Sequence, residues 1–161
     1  MRAPVPTTEI SEFINRHFVD ICQTMLSITA TSISPVVFPL HADRVSGSVG
    51  FEGENVVGSI YLHLSPHLAA RAATAMLGLP PEESPSGEAE INDVVSELTN
   101  MAGGGFKSWL CDTGVSCAMS PPAIIRGGAF DIETTPGAER ICLSFDCENE
   151  PVLFEVHIKF N

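Results

Sequence analysis

The chain has 161 residues, 44% of them hydrophobic and 17% charged, a balance that excludes a disordered polar chain and fits one globular domain over residues 1–161. Eight basic residues against 20 acidic ones leave a formal charge of −12, which offers no basic footprint for nucleic acid or an anionic membrane. No apolar run approaches the roughly 18 residues of a membrane span. The start, residues 1–10, lacks a signal-peptide core. A cytoplasmic protein is therefore expected, with the five cysteines reduced: their number is odd and no CxxC pair occurs.

The first element is an amphipathic helix from Thr8 to Leu26. Ile10, Phe13, Ile14, His17, Phe18, Ile21, Cys22 and Met25 recur at helical spacing, and Pro6, Thr7 and Thr8 supply a turn and N-cap. Residues 29–40 are rich in Ser, Thr and Pro and read as loop or edge strand. Two strands follow, Arg44 to Gly53 and Val56 to Leu64, joined by hairpin chemistry at residues 52–55. Ser65 then caps a helix with Pro66 in its first position, and Gly78 suits its C-terminal stop. A proline-rich acidic connector leads to a long helix from Glu88 to about Leu110. Beyond it come short strands at Val115–Met119 and Ala123–Ile125, separated by Pro121 and Pro122. A closing hairpin pairs Arg140–Cys147 with Val152–Phe160, and the alternation in its last strand predicts one wet and one dry face. The expected class is α/β, a mostly antiparallel sheet with three helices packed on it.

The long helix carries the most informative pattern. Ile91, Val94, Val95, Leu98, Met101, Ala102 and Phe106 form one apolar stripe. Asp93, Glu97, Asn100 and Gly104 follow the i, i+4, i+7, i+11 ladder on the other side, so their side chains are stacked neighbours. Spacing alone makes this ladder a solvated face. Gly103, Gly104 and Gly105 argue for more, because each glycine inside a helix costs roughly 1 kcal/mol relative to alanine. A run of three implies close approach: a packed strand on the apolar side, and on the polar side, at Gly104, a loop of another protein beside Asn100.

These residues resemble the signature of the CheC, CheX and FliY phosphatases: Asp or Ser, three residues, Glu, two residues, Asn, and a proline about twenty residues later. Here Asp93, Glu97 and Asn100 fill the pattern, with Pro121 and Pro122 after the intervening twenty residues. The stretch from Asn100 through Gly103 and Lys107 to Leu110 resembles the continuation of the motif. The order of elements is similar to CheX across nearly the whole chain, which makes a CheX-type, CheC-like domain the expectation.

The resemblance implies a phosphatase acting on the aspartyl phosphate of a CheY-like receiver domain. Asn100 would orient the attacking water, and Glu97 would pair with the lysine that the partner uses to hold the phosphoryl group. Asp93 and Gly104 would serve docking or support. The magnesium ion belongs to the partner, so no cofactor or metal site of the chain's own is implied. The family also implies a homodimer formed through the sheets. The alternative from another class is a non-catalytic interaction module, like the middle domain of flagellar switch proteins.

Other constellations are weaker. Glu12 and Asn15 repeat the Glu-x2-Asn spacing on the first helix, with Thr8 where Asp or Ser belongs; they read as surface residues, with a second site as the alternative. The histidines are scattered and no HExxH occurs, so zinc is not expected. The glycine run lacks the ending of a P-loop, and no nucleophile elbow supports Ser-His-Asp catalysis. Trp109 shares the apolar spacing and reads as core.

Overall fold

The computed structural model describes residues 4–33, 42–128 and 130–161. Helix α1 spans Thr7–Ile21 and runs into a π-helical turn at Cys22–Leu26, closed by Ser27 in the left-handed region (φ 53°). Strand β1 is Ala30–Ile33, followed by the hairpin of β2 (Arg44–Glu52) and β3 (Val56–Leu64). Helices α2 (Pro66–Met76) and α3 (Glu88–Asp112) come next, then β4 (Ala118–Met119), β5 (Ala123–Gly127), β6 (Glu139–Cys147) and β7 (Glu150–Phe160).

Among the described residues seven strands join one antiparallel sheet in the order β1-β6-β7-β3-β2, and β4 and β5 both pair with the outer edge of β2. Pro121 and Pro122 lack the N–H that a ladder needs, so this edge breaks between β4 and β5. The three helices pack on one face. Ile10, Ile14, Phe18, Leu68, Val95, Leu98, Ala102 and Phe106 meet Val45, Val49, Ile60, Leu62, Phe145, Phe154 and Val156 in one buried cluster. Thus the α/β class, the helix count and the antiparallel sheet are as the sequence led us to expect.

Local signals act as expected at α2. Ser65 Oγ accepts from the Leu68 N–H at 3.1 Å, and Gly78 takes φ 68° past the helix end. At β6–β7 the turn is tighter than expected, with Glu148 and Asn149 both at positive φ (52° and 71°), the geometry that matches strand twist in a two-residue turn. Three local readings differ. α1 starts at Thr7 after Pro6 with no side-chain cap. Of residues 115–119 only Ala118 and Met119 pair as strand. From the stretch 29–40, residues 30–33 form β1, while Pro35, Pro39 and neighbouring His41 lie outside the described residues.

A larger correction concerns β7, which is buried on both faces from Val152 to Ile158. The face expected to be wet holds Glu155 and His157, buried with His63 and Ser46 on the side of the sheet opposite the helices. Arg44 fastens Phe130 there, donating to its carbonyl at 2.6 Å with the guanidinium 3.9 Å from the ring centre. Alternation reports the two faces of a strand but not what covers each of them.

Candidate functional site

α3 is positioned by packing along one side only. Val94, Val95, Leu98, Ala102, Phe106 and Leu110 are buried against the sheet and the other helices. Asp93, Glu97 and Asn100 are exposed on the opposite side, and among the described residues no side-chain hydrogen bond or ion pair engages them. Two carboxylates and an amide thus stand exposed, with no partner among the described residues. They do not stabilise the helix: acids spaced i, i+4 repel slightly.

The first turn of α3 is built to carry negative charge. Glu88 and Glu90 sit where the helix N-terminus is electropositive. Glu90 reaches back to Ser86, accepting from its N–H at 2.6 Å and its hydroxyl at 2.5 Å, and these bonds hold the carboxyl below the usual range. Arg126 on β5 ties the same end to the sheet edge: its Nε donates to Asn92 Oδ1 at 2.6 Å, and Nη1 lies 3.9 Å from Glu88.

The three glycines face three different neighbours. A Cβ on Gly103 would lie 2.7 Å from Val49 Cγ2 and 3.2 Å from Met119 Sδ, so β2 and β4 lie directly against the helix backbone. A Cβ on Gly105 would fall inside the His17 ring. A Cβ on Gly104 would meet nothing within 4 Å among the described residues. Both inward glycines therefore have a packing reason within the fold, and Gly104, on the ladder with Asn100, has none.

The proline spacing also gains a structural meaning. The chain leaves α3, returns as β4 beneath Gly103, and continues as β5 to Arg126 beneath Asn92. Pro121 and Pro122 lie in the chain between these two tie points. Ser120 fixes the loop to β2: its hydroxyl accepts from the Gly50 N–H at 2.8 Å and its own N–H donates to the Gly50 carbonyl at 2.9 Å.

The remaining candidates fall elsewhere. Glu12 is exposed on α1 and Asn15 half-buried, and Arg16 Nε donates to the Glu12 backbone carbonyl rather than to its side chain. Trp109 is half-buried and stacks on Phe13 at 4.9 Å. All five cysteines are free: Cys22 and Cys147 are buried, Cys117 is half-buried, and Cys111 and Cys142 are exposed. Among the described residues no cluster of three or more His, Cys, Asp or Glu is arranged to hold a metal ion, and no helix is long and apolar enough to cross a membrane.

One arrangement escaped sequence reasoning. Ser46 Oγ lies 2.7 Å from His63 Nδ1, and His63 Nε2 lies 2.6 Å from Glu155 Oε2. Arg140 Nε donates to the other Glu155 oxygen at 2.7 Å. Burial by itself would raise the Glu155 carboxyl, but the hydrogen bonds from His63 and Arg140 outweigh it and bring the pKa down to about 2. The row has the residue types of a hydrolytic triad, yet Ser46, His63 and Glu155 are only 0%, 1% and 2% exposed, so no substrate reaches the hydroxyl. It is a buried polar network whose Ser46, His63 and Glu155 bond one another, while the neighbouring His157 Nε2 lies 3.6 Å from Glu155 and makes no hydrogen bond among the described residues. The three residues come from β2, β3 and β7, and no local spacing could reveal their meeting.

A family model described as chemotaxis phosphatase CheX matches residues 45–146. In fold the chain is similar to a chemotaxis protein CheX from Vibrio vulnificus, at 25% identity and a TM-score of 0.81, covering 97% of this chain and 100% of that one. A CheC-like superfamily protein from Shewanella sp. PV-4 is similar at 25% identity and a TM-score of 0.79, covering 94% and 97%. The fold also matches a structure described as a CheX-CheY-BeF3-Mg complex from Borrelia burgdorferi, at 22% identity and a TM-score of 0.72, covering 92% and 97%. No curated protein matches the chain.

Proposed function

The chain belongs to the chemotaxis phosphatase CheX family, and from that footing we propose that it hydrolyses the aspartyl phosphate of a CheY-like receiver domain, with Asn100 and Glu97 as its working groups. The observation that carries the residue assignment is the exposed ladder of Asp93, Glu97 and Asn100, without side-chain partners among the described residues, beside Gly104. A CheX bound to CheY with BeF3 and magnesium supports the kind of partner.

The chemistry asks little of the protein. In phosphoryl transfer the transition state is loose, and catalysis rests on positioning and on charges already in place. The Asn100 amide holds a water in line with the acyl phosphate. The water oxygen bonds to phosphorus, the bond from phosphorus to the aspartyl oxygen breaks, and the partner's carboxylate and inorganic phosphate separate. A neutral amide suits this position because a carboxylate there would repel the phosphoryl oxygens. Glu97 pairs with the receiver's lysine and fixes the two proteins in register. Asp93, one turn earlier, and Gly104, one turn beyond Asn100, form the rest of the docking face. The magnesium ion is the receiver's. A homodimer formed through the sheet accompanies this reading, and sedimentation velocity checks it.

The deciding experiment replaces Asn100 with alanine. N100A abolishes stimulated phosphate release from the phosphorylated receiver but still binds the beryllofluoride-activated receiver. If N100A still accelerates release, the assignment of the water-holding group is wrong. Should the wild-type chain bind the activated receiver without any turnover, it is instead a non-catalytic module.

A further inference from the structure

We propose that His17 is a positioning residue for Asn100, and that α1 acts as a splint across the glycine run of α3. The inference rests on the phosphatase reading for its catalytic consequence, but the splint itself stands on geometry alone. His17 Nε2 lies 3.2 Å from the Met101 carbonyl oxygen. A carbonyl only accepts, so Nε2 carries the proton and donates. Met101 directly follows Asn100, and within α3 its carbonyl is the acceptor for the Gly105 N–H. His17 thus adds a second donor to the backbone bond that spans all three glycines.

The ring is held in place from behind. His17 stacks on Phe13 with centroids 5.1 Å apart and planes at 22°. Phe13 stacks on Trp109 at 4.9 Å and 10°. The column Trp109–Phe13–His17 therefore leaves α3 beyond the glycines, passes over α1, and returns to α3 before them. Gly105 is the gap that admits His17, since a Cβ there would occupy the imidazole ring.

The physical need is plain. Glycine leaves the backbone looser than any other residue, and three in succession begin only three residues after Asn100. A catalytic amide must be held to within a fraction of an ångström, and a displacement of about 1 Å costs on the order of a hundredfold in rate. The glycines let β2, β4 and the partner come close; the aromatic column restores the stiffness they remove.

The test uses His17→Leu, which keeps apolar bulk against Phe13 but has no donor, and His17→Gln, whose amide nitrogen replaces Nε2. With phosphorylated receiver in excess, H17L lowers kcat roughly tenfold or more with KM within about twofold, because docking residues are untouched. H17Q recovers kcat to within about threefold of wild type. Wild-type kcat in H17L, or no recovery in H17Q, overturns the positioning role. Native-state hydrogen exchange gives the readout that needs no activity. Protection of the Gly105 amide falls roughly fivefold in H17L and is retained in H17Q, as expected for one hydrogen bond. Unchanged protection in H17L overturns the splint. If the wild-type chain releases no phosphate, the phosphatase reading fails by itself while the exchange data still decide the splint.

Discussion

Alanine substitutions at Gly103, Gly104 and Gly105 separate what the fold requires from what a partner requires. All three gain the same helix propensity, about 1 kcal/mol over glycine. At Gly104 nothing among the described residues lies within 4 Å of the added methyl, so nothing there opposes the gain. G104A therefore raises stability by about 1 kcal/mol, equivalent to roughly 2–4 °C in Tm for a chain of this size. At Gly103 the methyl meets Val49 Cγ2 at 2.7 Å and Met119 Sδ at 3.2 Å. Overpacking of this kind costs about 1–3 kcal/mol, so G103A runs from neutral to a net loss of about 2 kcal/mol. At Gly105 the methyl expels His17 from its bond to Met101, so G105A loses the propensity gain to a broken hydrogen bond worth about 1 kcal/mol. Denaturant unfolding of the three variants against wild type provides the ranking. Phosphate release then adds the functional half: if the receiver docks at Gly104 as proposed, G104A, the most stable variant, raises KM for phosphorylated receiver on the order of tenfold. A destabilised G104A, or a G103A stabilised as much as G104A, would refute the packing argument. An unchanged KM in G104A would remove Gly104 from the docking face.

Two further outcomes follow from named groups. Glu97→Gln keeps the shape but removes the charge of the proposed pairing with the receiver's lysine; steady-state kinetics show a KM that rises and becomes less sensitive to added salt, and an unaltered salt dependence argues against the pairing. Glu155 titrates at about 2 in the fold against an ordinary value of 4.5. A carboxyl held low by its native partners favours the folded state above its ordinary pKa, and this contribution fades as the pH falls from 4.5 towards 2. It amounts to about 3 kcal/mol at neutral pH. Urea unfolding from pH 7 down to pH 3 shows the loss, and Glu155→Gln flattens that part of the profile.

The sequence by itself determined the elements and the candidate face. A 3.6-residue period marks α1 and α3 because each buries a stripe, and that stripe in α3 leaves Asp93, Glu97, Asn100 and Gly104 together on the other side. Ser65 and Gly78 mark the ends of α2 because backbone donors and acceptors at helix ends need local partners. These are short-range effects, and the chain states them in order. Tertiary structure decided what no local pattern encodes. It gave the three glycines separate neighbours in β2 and β4, in solvent, and in α1. It tied the segment that bears Pro121 and Pro122 to α3 at both ends, through Met119 at Gly103 and Arg126 at Asn92. It joined Ser46, His63 and Glu155 from three strands into one buried network and turned the expected wet face of β7 into a covered one. Periodicity reveals that a residue lies on a given face; only the packing of distant segments settles whether that face meets water, a neighbouring element or another protein.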